Sequence, residues 1–166
     1  MAQLIEESGA PTGTYYRLFP DKAAVFARLL DDLHPLFIQR VQARVPDGSP
    51  SLRLGMTVAT MVELALTEYS EVARLYLRDV RGAGAAHDAA QQADERERVL
   101  LGRLIDEGVA LGELDCADAA IAAIAISGMV RKVVEAYVVD DRRRPSRRKA
   151  AALMGELAVR AAGGNP

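Results

Sequence analysis

The residues with the clearest chemical meaning lie near the N-terminus, where small and hydrogen-bonding side chains follow a short turn. Residues 5–22 read IEESGAPTGTYYRLFPDK, which predicts a helix ending at Gly9, a turn, and a second helix over about 11–19. Two short helices joined by a glycine-containing turn form a helix-turn-helix, whose second helix enters the DNA major groove with its N-terminal residues against the base edges. The expected chemistry is therefore hydrogen bonding to bases and phosphates.

Six residues of this segment have side chains suited to that task. Small residues at the start of the second helix let the backbone approach the groove, while tyrosine, arginine and lysine side chains can reach bases or phosphates. We expect the DNA contacts to come from Thr12, Gly13, Thr14, Tyr16, Arg17 and Lys22.

A second set of residues, in the middle of the chain, is suited to binding an apolar small molecule. Methionine adapts its shape to a ligand, and tyrosine and histidine supply a few polar contacts in an otherwise apolar cavity. The predicted effector-binding residues are Met61, Tyr69, Tyr76 and His87. Ordinary core packing is the commoner explanation for any one of them, so the residues alone leave both interpretations open.

The sequence contains no arrangement typical of catalysis or of metal binding. A single cysteine, Cys116, excludes an internal disulfide and a cysteine-rich zinc site, and two histidines argue against a histidine-rich metal centre. Nucleophile elbows, phosphate-binding loops and metal-ligand spacings are all missing from the sequence. We therefore expect no enzyme activity, no catalytic residue, no metal and no cofactor.

These groups have to be positioned by helices, because strand patterns are nearly absent and apolar residues recur at helical spacing. Ser49 and Pro50 form a favourable cap and first-turn pair, and Asp115 is expected to cap the helix that follows it. After the first 44 residues, helices are predicted over about 51–69, 71–81, 88–111, 117–139 and 147–162. The predicted fold class is all-α.

Composition is that of a globular protein, with half of the residues hydrophobic and 27% charged. The formal net charge is -2, so any surface that attracts DNA must be local. The longest apolar stretch, 117–130, is shorter than the roughly 20 residues that a membrane span needs. Nothing resembles a signal peptide. We expect a cytoplasmic protein without membrane contact.

The segment GAPTGTYYRLFPDKAAVFARLL resembles the recognition-helix region of TetR-family transcriptional regulators. In that family, a Gly-x-x-x-Gly-Thr-x-Tyr-x-x-Phe stretch precedes a short turn with a lysine and a long connecting helix. The matching positions are Gly9, Gly13, Thr14, Tyr16, Phe19 and Lys22. The resemblance implies that Thr12, Thr14, Tyr16, Arg17 and Lys22 face DNA, and that Tyr15 and Phe19 pack inward.

The resemblance also implies a domain organisation. Family members begin with a further helix, whereas this sequence starts inside or just before the first helix of the motif. We therefore expect a truncated helix-turn-helix region with its connecting helix over 1–44, and a helical effector-binding and dimerisation domain over 45–166. The implied function is a repressor that binds operator DNA as a homodimer, once the missing helix is restored, and is released by a small apolar effector.

A second function stays open because the N-terminal segment is not basic. Over residues 1–22, Arg17 and Lys22 are outnumbered by Glu6, Glu7 and Asp21, whereas phosphate binding normally needs a positive surface. The alternative is a dimeric small-ligand-binding module that has lost DNA binding.

The helix predicted over 117–139 carries small residues that would let another helix approach closely. They are Ala119, Ala122, Ala123, Ser127 and Gly128. Together with the last helix and a twofold mate, this face would form a four-helix dimer bundle. The alternative is a helix in the chain's own core, and the resemblance favours the dimer.

Overall fold

The computed structural model describes residues 21–79, 84–139 and 146–165, and every regular element within these ranges is an α-helix. The six helices are α1 (Lys22–Gln42), α2 (Pro50–Leu66), α3 (Ser70–Asp79), α4 (Ala85–Ala110), α5 (Ala119–Val138) and α6 (Arg147–Ala161). The all-α prediction is confirmed. Five of the predicted DNA contacts, those between residues 12 and 17, lie outside the described residues.

Side-chain caps set where α1 and α2 begin. The Asp21 carboxylate accepts a hydrogen bond from the backbone N–H of Ala24 at 2.7 Å, which satisfies one of the free donors in the first turn of α1. Ser49 caps α2 in the same way, with Pro50 as the first helical residue. Proline suits that position because its missing N–H would have no helical partner there. The predicted Ser49–Pro50 start is confirmed.

Helix α5 begins later than predicted, because the chain first closes α4 with a buried turn. The backbone N–H of Leu114 donates to the carbonyl of Gly108 at 3.2 Å, and the Leu114 side chain is buried in the main core. Only after this turn can a new helix start. Its cap is Asp118, whose carboxylate accepts from the N–H of Ile121 at 2.9 Å. The prediction that Asp115 caps this helix is wrong.

Two glycines allow α2 and α6 to cross in close contact. A Cβ atom added at Gly155 would lie 2.5 Å from the carbonyl oxygen of Gly55, which is closer than real Cβ atoms approach backbone. Around this crossing, α2, α4, α5 and α6 form the main core, which includes Leu54, Val58, Leu101, Ile105 and Ile126. Helix α1 packs along α4 at the edge of this bundle.

The small residues of α5 face the chain's own core. Ala122 and Ala123 are both buried, and Ala123 is 1% exposed. Large apolar side chains, Ile121 and Ile124, are exposed on the same helix, at 63% and 53%. The prediction that the small-residue face forms the dimer seam is therefore wrong for Ala122 and Ala123, and the intrachain alternative is correct for them.

Across the described ranges, the helices fall short of the length and apolar character that crossing a bilayer requires.

Candidate ligand cavity

An internal cavity of about 140 Å³ lies where α1, α2, α3, α4 and α5 converge. Its volume is close to that of an engineered apolar cavity of roughly 150 Å³ that binds benzene. It is smaller than the roughly 300–1,000 Å³ of pockets that hold drug-sized ligands. The apolar part of the wall consists mainly of Leu30, Leu33, Phe37, Met61, Val72, Leu77, Val130 and Val134. In this conformation, the cavity fits a molecule of about one aromatic ring.

Three alanines explain why the space is not filled by side chains. Ala65 on α2, Ala73 on α3 and Ala93 on α4 all line the wall, at positions where a longer apolar side chain would extend into the cavity. Close packing elsewhere is normal for protein interiors, so the absence of side-chain volume at these positions leaves the opening between the helices.

Two buried polar atoms in the cavity wall have no hydrogen-bond partner. His34, on α1, is 8% exposed, and its Nε2 lies 3.3 Å from Oε1 of Glu97 on α4, while its Nδ1 is unpartnered. The Oγ of Ser127, on α5, is also buried and unpartnered. Leaving such a group unsatisfied typically costs about 1–3 kcal/mol, so both atoms mark places where a bound molecule would gain hydrogen bonds.

Three linked side chains separate the cavity from an open cleft beside it. The Tyr76 hydroxyl donates to Oδ1 of Asp94 at 2.6 Å, and Nη1 of Arg131 donates to Oδ2 of the same carboxylate at 3.1 Å. All three residues line both the cavity and the cleft, whose volume is about 900 Å³. Burial, and then the hydrogen bond to Asp94, raise the pKa of Tyr76, so its hydroxyl stays a donor at neutral pH.

The structure brings three of the four predicted effector-binding residues together. Met61, Tyr69 and Tyr76 line the cavity. His87 lies instead in the open cleft, where its Nε2 is 2.9 Å from the Gln91 amide nitrogen. The predicted DNA contact that falls in the described ranges, Lys22, is the first residue of α1 and is exposed.

Sequence reasoning missed the polar groups of the cavity. His34 occurs at helical spacing after Leu30 and before Phe37, on the apolar face of α1, and this placement was the available signal. Its partner Glu97 is 63 residues away in sequence, and no local pattern pairs the two. In the residues that the structure describes, no group of three or more His, Cys, Asp or Glu side chains could hold a metal ion.

Comparison with known proteins adds a family match. A family model described as the C-terminal domain of tetracycline repressor-like proteins matches residues 47–140, which is more than half of the chain. No curated protein matches the sequence.

Solved structures with a similar fold are bacterial regulators. A regulatory protein in the tetR family from Rhodococcus RHA1 has a TM-score of 0.80 at 20% identity, covering 99% of this chain and 86% of that chain. FadR from Bacillus subtilis, solved in complex with stearoyl-CoA, has a TM-score of 0.82 at 18% identity, covering 96% and 87%. The fatty acid degradation regulator FadR from Bacillus halodurans has a TM-score of 0.80 at 17% identity, covering 95% and 86%. At these identities the likeness concerns the fold alone.

Proposed function

The chain belongs to the TetR family of transcriptional regulators, and from that premise we propose that it is a cytoplasmic repressor that binds operator DNA as a homodimer. In this proposal, a small and mostly apolar effector enters the cavity and releases the repressor from DNA. The family and the structural relatives are regulators of transcription and not enzymes.

The observation that carries the proposal is the position of α1. Leu30, Leu33, His34 and Phe37 of this helix line the cavity, and the same helix begins directly after the segment that resembles a recognition helix. A ligand that fills the cavity contacts α1, and a shift of α1 moves the end that leads to this segment. Operator and effector would then weaken each other's binding by a coupling of typically about 1–3 kcal/mol.

The dimer is supported by apolar surface on α5 and α6. These two helices pack against each other and leave Ile121 and Ile124 of α5, and Leu153 and Leu157 of α6, exposed. Covering a large aliphatic side chain contributes roughly 1.5–3 kcal/mol. A twofold mate on this surface would hold two recognition segments, which read half-sites about 34 Å apart when the operator is bound.

Two classes of effector deserve comparison in the same experiment. The cavity alone fits a single-ring compound. The adjoining cleft shares Tyr76, Asp94 and Arg131 with it, and so offers room for the polar part of a larger ligand. The similar fold of Bacillus subtilis FadR was solved with stearoyl-CoA, which makes a long-chain acyl-CoA the second class.

The test is fluorescence anisotropy of the full-length gene product on labelled DNA from upstream of its own gene. We expect sequence-specific binding that weakens steeply with salt and falls about 5–150-fold when p-cresol or stearoyl-CoA is added. Ala65→Leu, which fills the cavity, should keep DNA binding and lose the response to p-cresol. Binding no better than to random DNA would instead favour the alternative, a dimeric small-ligand-binding module that has lost DNA binding.

A further inference from the structure

We propose that the effector carries an uncharged hydroxyl group, which His34 and Ser127 recognise inside the cavity. The inference rests on the proposed function, because it specifies the ligand of the same cavity. It starts from two buried polar atoms, His34 Nδ1 and Ser127 Oγ, that have no partner among the described residues. Such atoms are uncommon in native proteins and indicate a missing partner.

The hydrogen-bonding role of His34 follows from its other ring nitrogen. Nε2 faces the Glu97 carboxylate at 3.3 Å, and a carboxylate only accepts hydrogen bonds, so the ring proton lies on Nε2. In the neutral imidazole, Nδ1 is then an acceptor. Because Nδ1 is buried in the cavity wall, it requires a donor from whatever occupies the cavity.

Ser127 supplies the complementary group. A serine inside a helix commonly donates to a carbonyl one turn earlier, but the Ser127 Oγ has no such bond. Its hydroxyl is therefore available to donate into the cavity. The wall thus offers one acceptor, on α1, and one donor, on α5.

A hydroxyl group on the ligand matches this pair, because it both donates and accepts. A carboxylate could only accept, and its charge would join those of Asp94 and Glu97 in a wall where Arg131 is the permanent cation. An ammonium group could only donate, so it would leave Ser127 without an acceptor. With the cavity volume close to that which holds benzene, the ligand class is a neutral, ring-sized apolar body with a hydroxyl group.

The experiment compares two probes of the same shape, p-cresol and toluene, by isothermal titration calorimetry with the full chain. We expect p-cresol to bind about tenfold more tightly than toluene, as one or two net hydrogen bonds would give. Ser127→Ala and His34→Phe should each remove most of this preference. Ser51→Ala is the matched control, because it deletes a hydroxyl at the start of α2, outside the cavity, and should leave the preference unchanged.

A third probe, 4-methylbenzoate, tests the uncharged class and should bind more weakly than p-cresol. The proposal is overturned if p-cresol fails to bind, if toluene binds equally well, if 4-methylbenzoate matches p-cresol, or if the preference survives in both variants. Water would then serve the two buried atoms. These measurements need no DNA, so their failure leaves a repressor with a different effector, and loss of DNA binding leaves them intact.

Discussion

At the scale of single residues, Tyr76 links stability to pH. Its hydroxyl donates to Asp94 at 2.6 Å, and burial, followed by this bond, raises the pKa of the phenol. The folded chain therefore holds the proton more tightly than the unfolded chain. Its stabilisation is fully present below the unfolded pKa of about 10 and is lost as pH rises above that value. We expect this group to lower the free energy of unfolding by up to about 1.4 kcal/mol per pH unit above pH 10.

Tyr76→Phe tests that contribution, since it removes the titrating hydroxyl and keeps the ring. Urea denaturation at pH 8 and at several values above pH 10 should show a shallower decline for the variant than for the unmodified chain. At pH 8 the variant should be less stable by about 1–2 kcal/mol, because a hydrogen bond to a charged acceptor is lost. Equal slopes above pH 10 would contradict the assignment.

Lys22 is the predicted DNA contact that the structure describes, at the exposed start of α1. Lys22→Ala should weaken binding to all DNA sequences and reduce the slope of log affinity against log salt by about one, because one phosphate contact is lost. Lys149→Ala is the control, as Lys149 is also exposed near a helix start but belongs to α6. An unchanged affinity and slope for Lys22→Ala would remove its phosphate role.

At the scale of elements, two neighbouring aspartates provide a matched test of how α5 begins. The Asp118 carboxylate accepts from the N–H of Ile121, whereas Asp115 precedes the helix and does not cap it. Asp118→Ala should therefore lower the free energy of unfolding by about 1 kcal/mol. Asp115→Ala should change it by less than about half of that, since exposed substitutions usually have small effects. Denaturant unfolding of both variants decides between them, and a larger loss for Asp115→Ala would refute the cap.

The same pair of aspartates shows what local sequence can and cannot predict. Helical periodicity and the Ser49–Pro50 pair are local signals, and they predicted the all-α class and the start of α2 correctly. The start of α5 depends on burying Leu114 in the core before the helix can begin. That requirement comes from tertiary packing, which overrides a local capping preference.

The candidate site divides in the same way. Met61, Tyr69 and Tyr76 were predictable, because their residue types suit a ligand cavity wherever they occur. The His34–Glu97 pair was not, because its members come from α1 and α4 and meet only in the folded chain. Alanine fits a core or a seam between subunits equally well, which explains why Ala123 was assigned to the wrong surface.

At the scale of the whole molecule, α1 connects the two regions that the sequence predicts. It lies within the predicted 1–44 region, yet it packs along α4 and lines the cavity through four residues. The boundary between 1–44 and 45–166 stays a prediction. If it holds, the cavity is shared between the regions, so a ligand there acts directly on the helix that leads to the recognition segment.

Assembly is the last property of the whole molecule, and it follows from the exposed apolar side chains of α5 and α6. Ile124 is 53% exposed within one chain, so a glutamate there can be solvated in a monomer but would be buried without a partner in the proposed dimer, at high cost. In sedimentation velocity, the unmodified chain should be a dimer and Ile124→Glu a monomer with unchanged helical circular dichroism.

Leu36→Glu is the matched control, because Leu36 is 52% exposed on α1, away from the α5–α6 surface, and this variant should remain dimeric. Ala123→Glu should behave differently from both. It places a charge at a position that is 1% exposed in the chain's own core, so it should unfold the protein and not merely dissociate it. A dimer that survives Ile124→Glu would place the interface on another surface, and a folded monomeric Ala123→Glu would restore the small-residue seam.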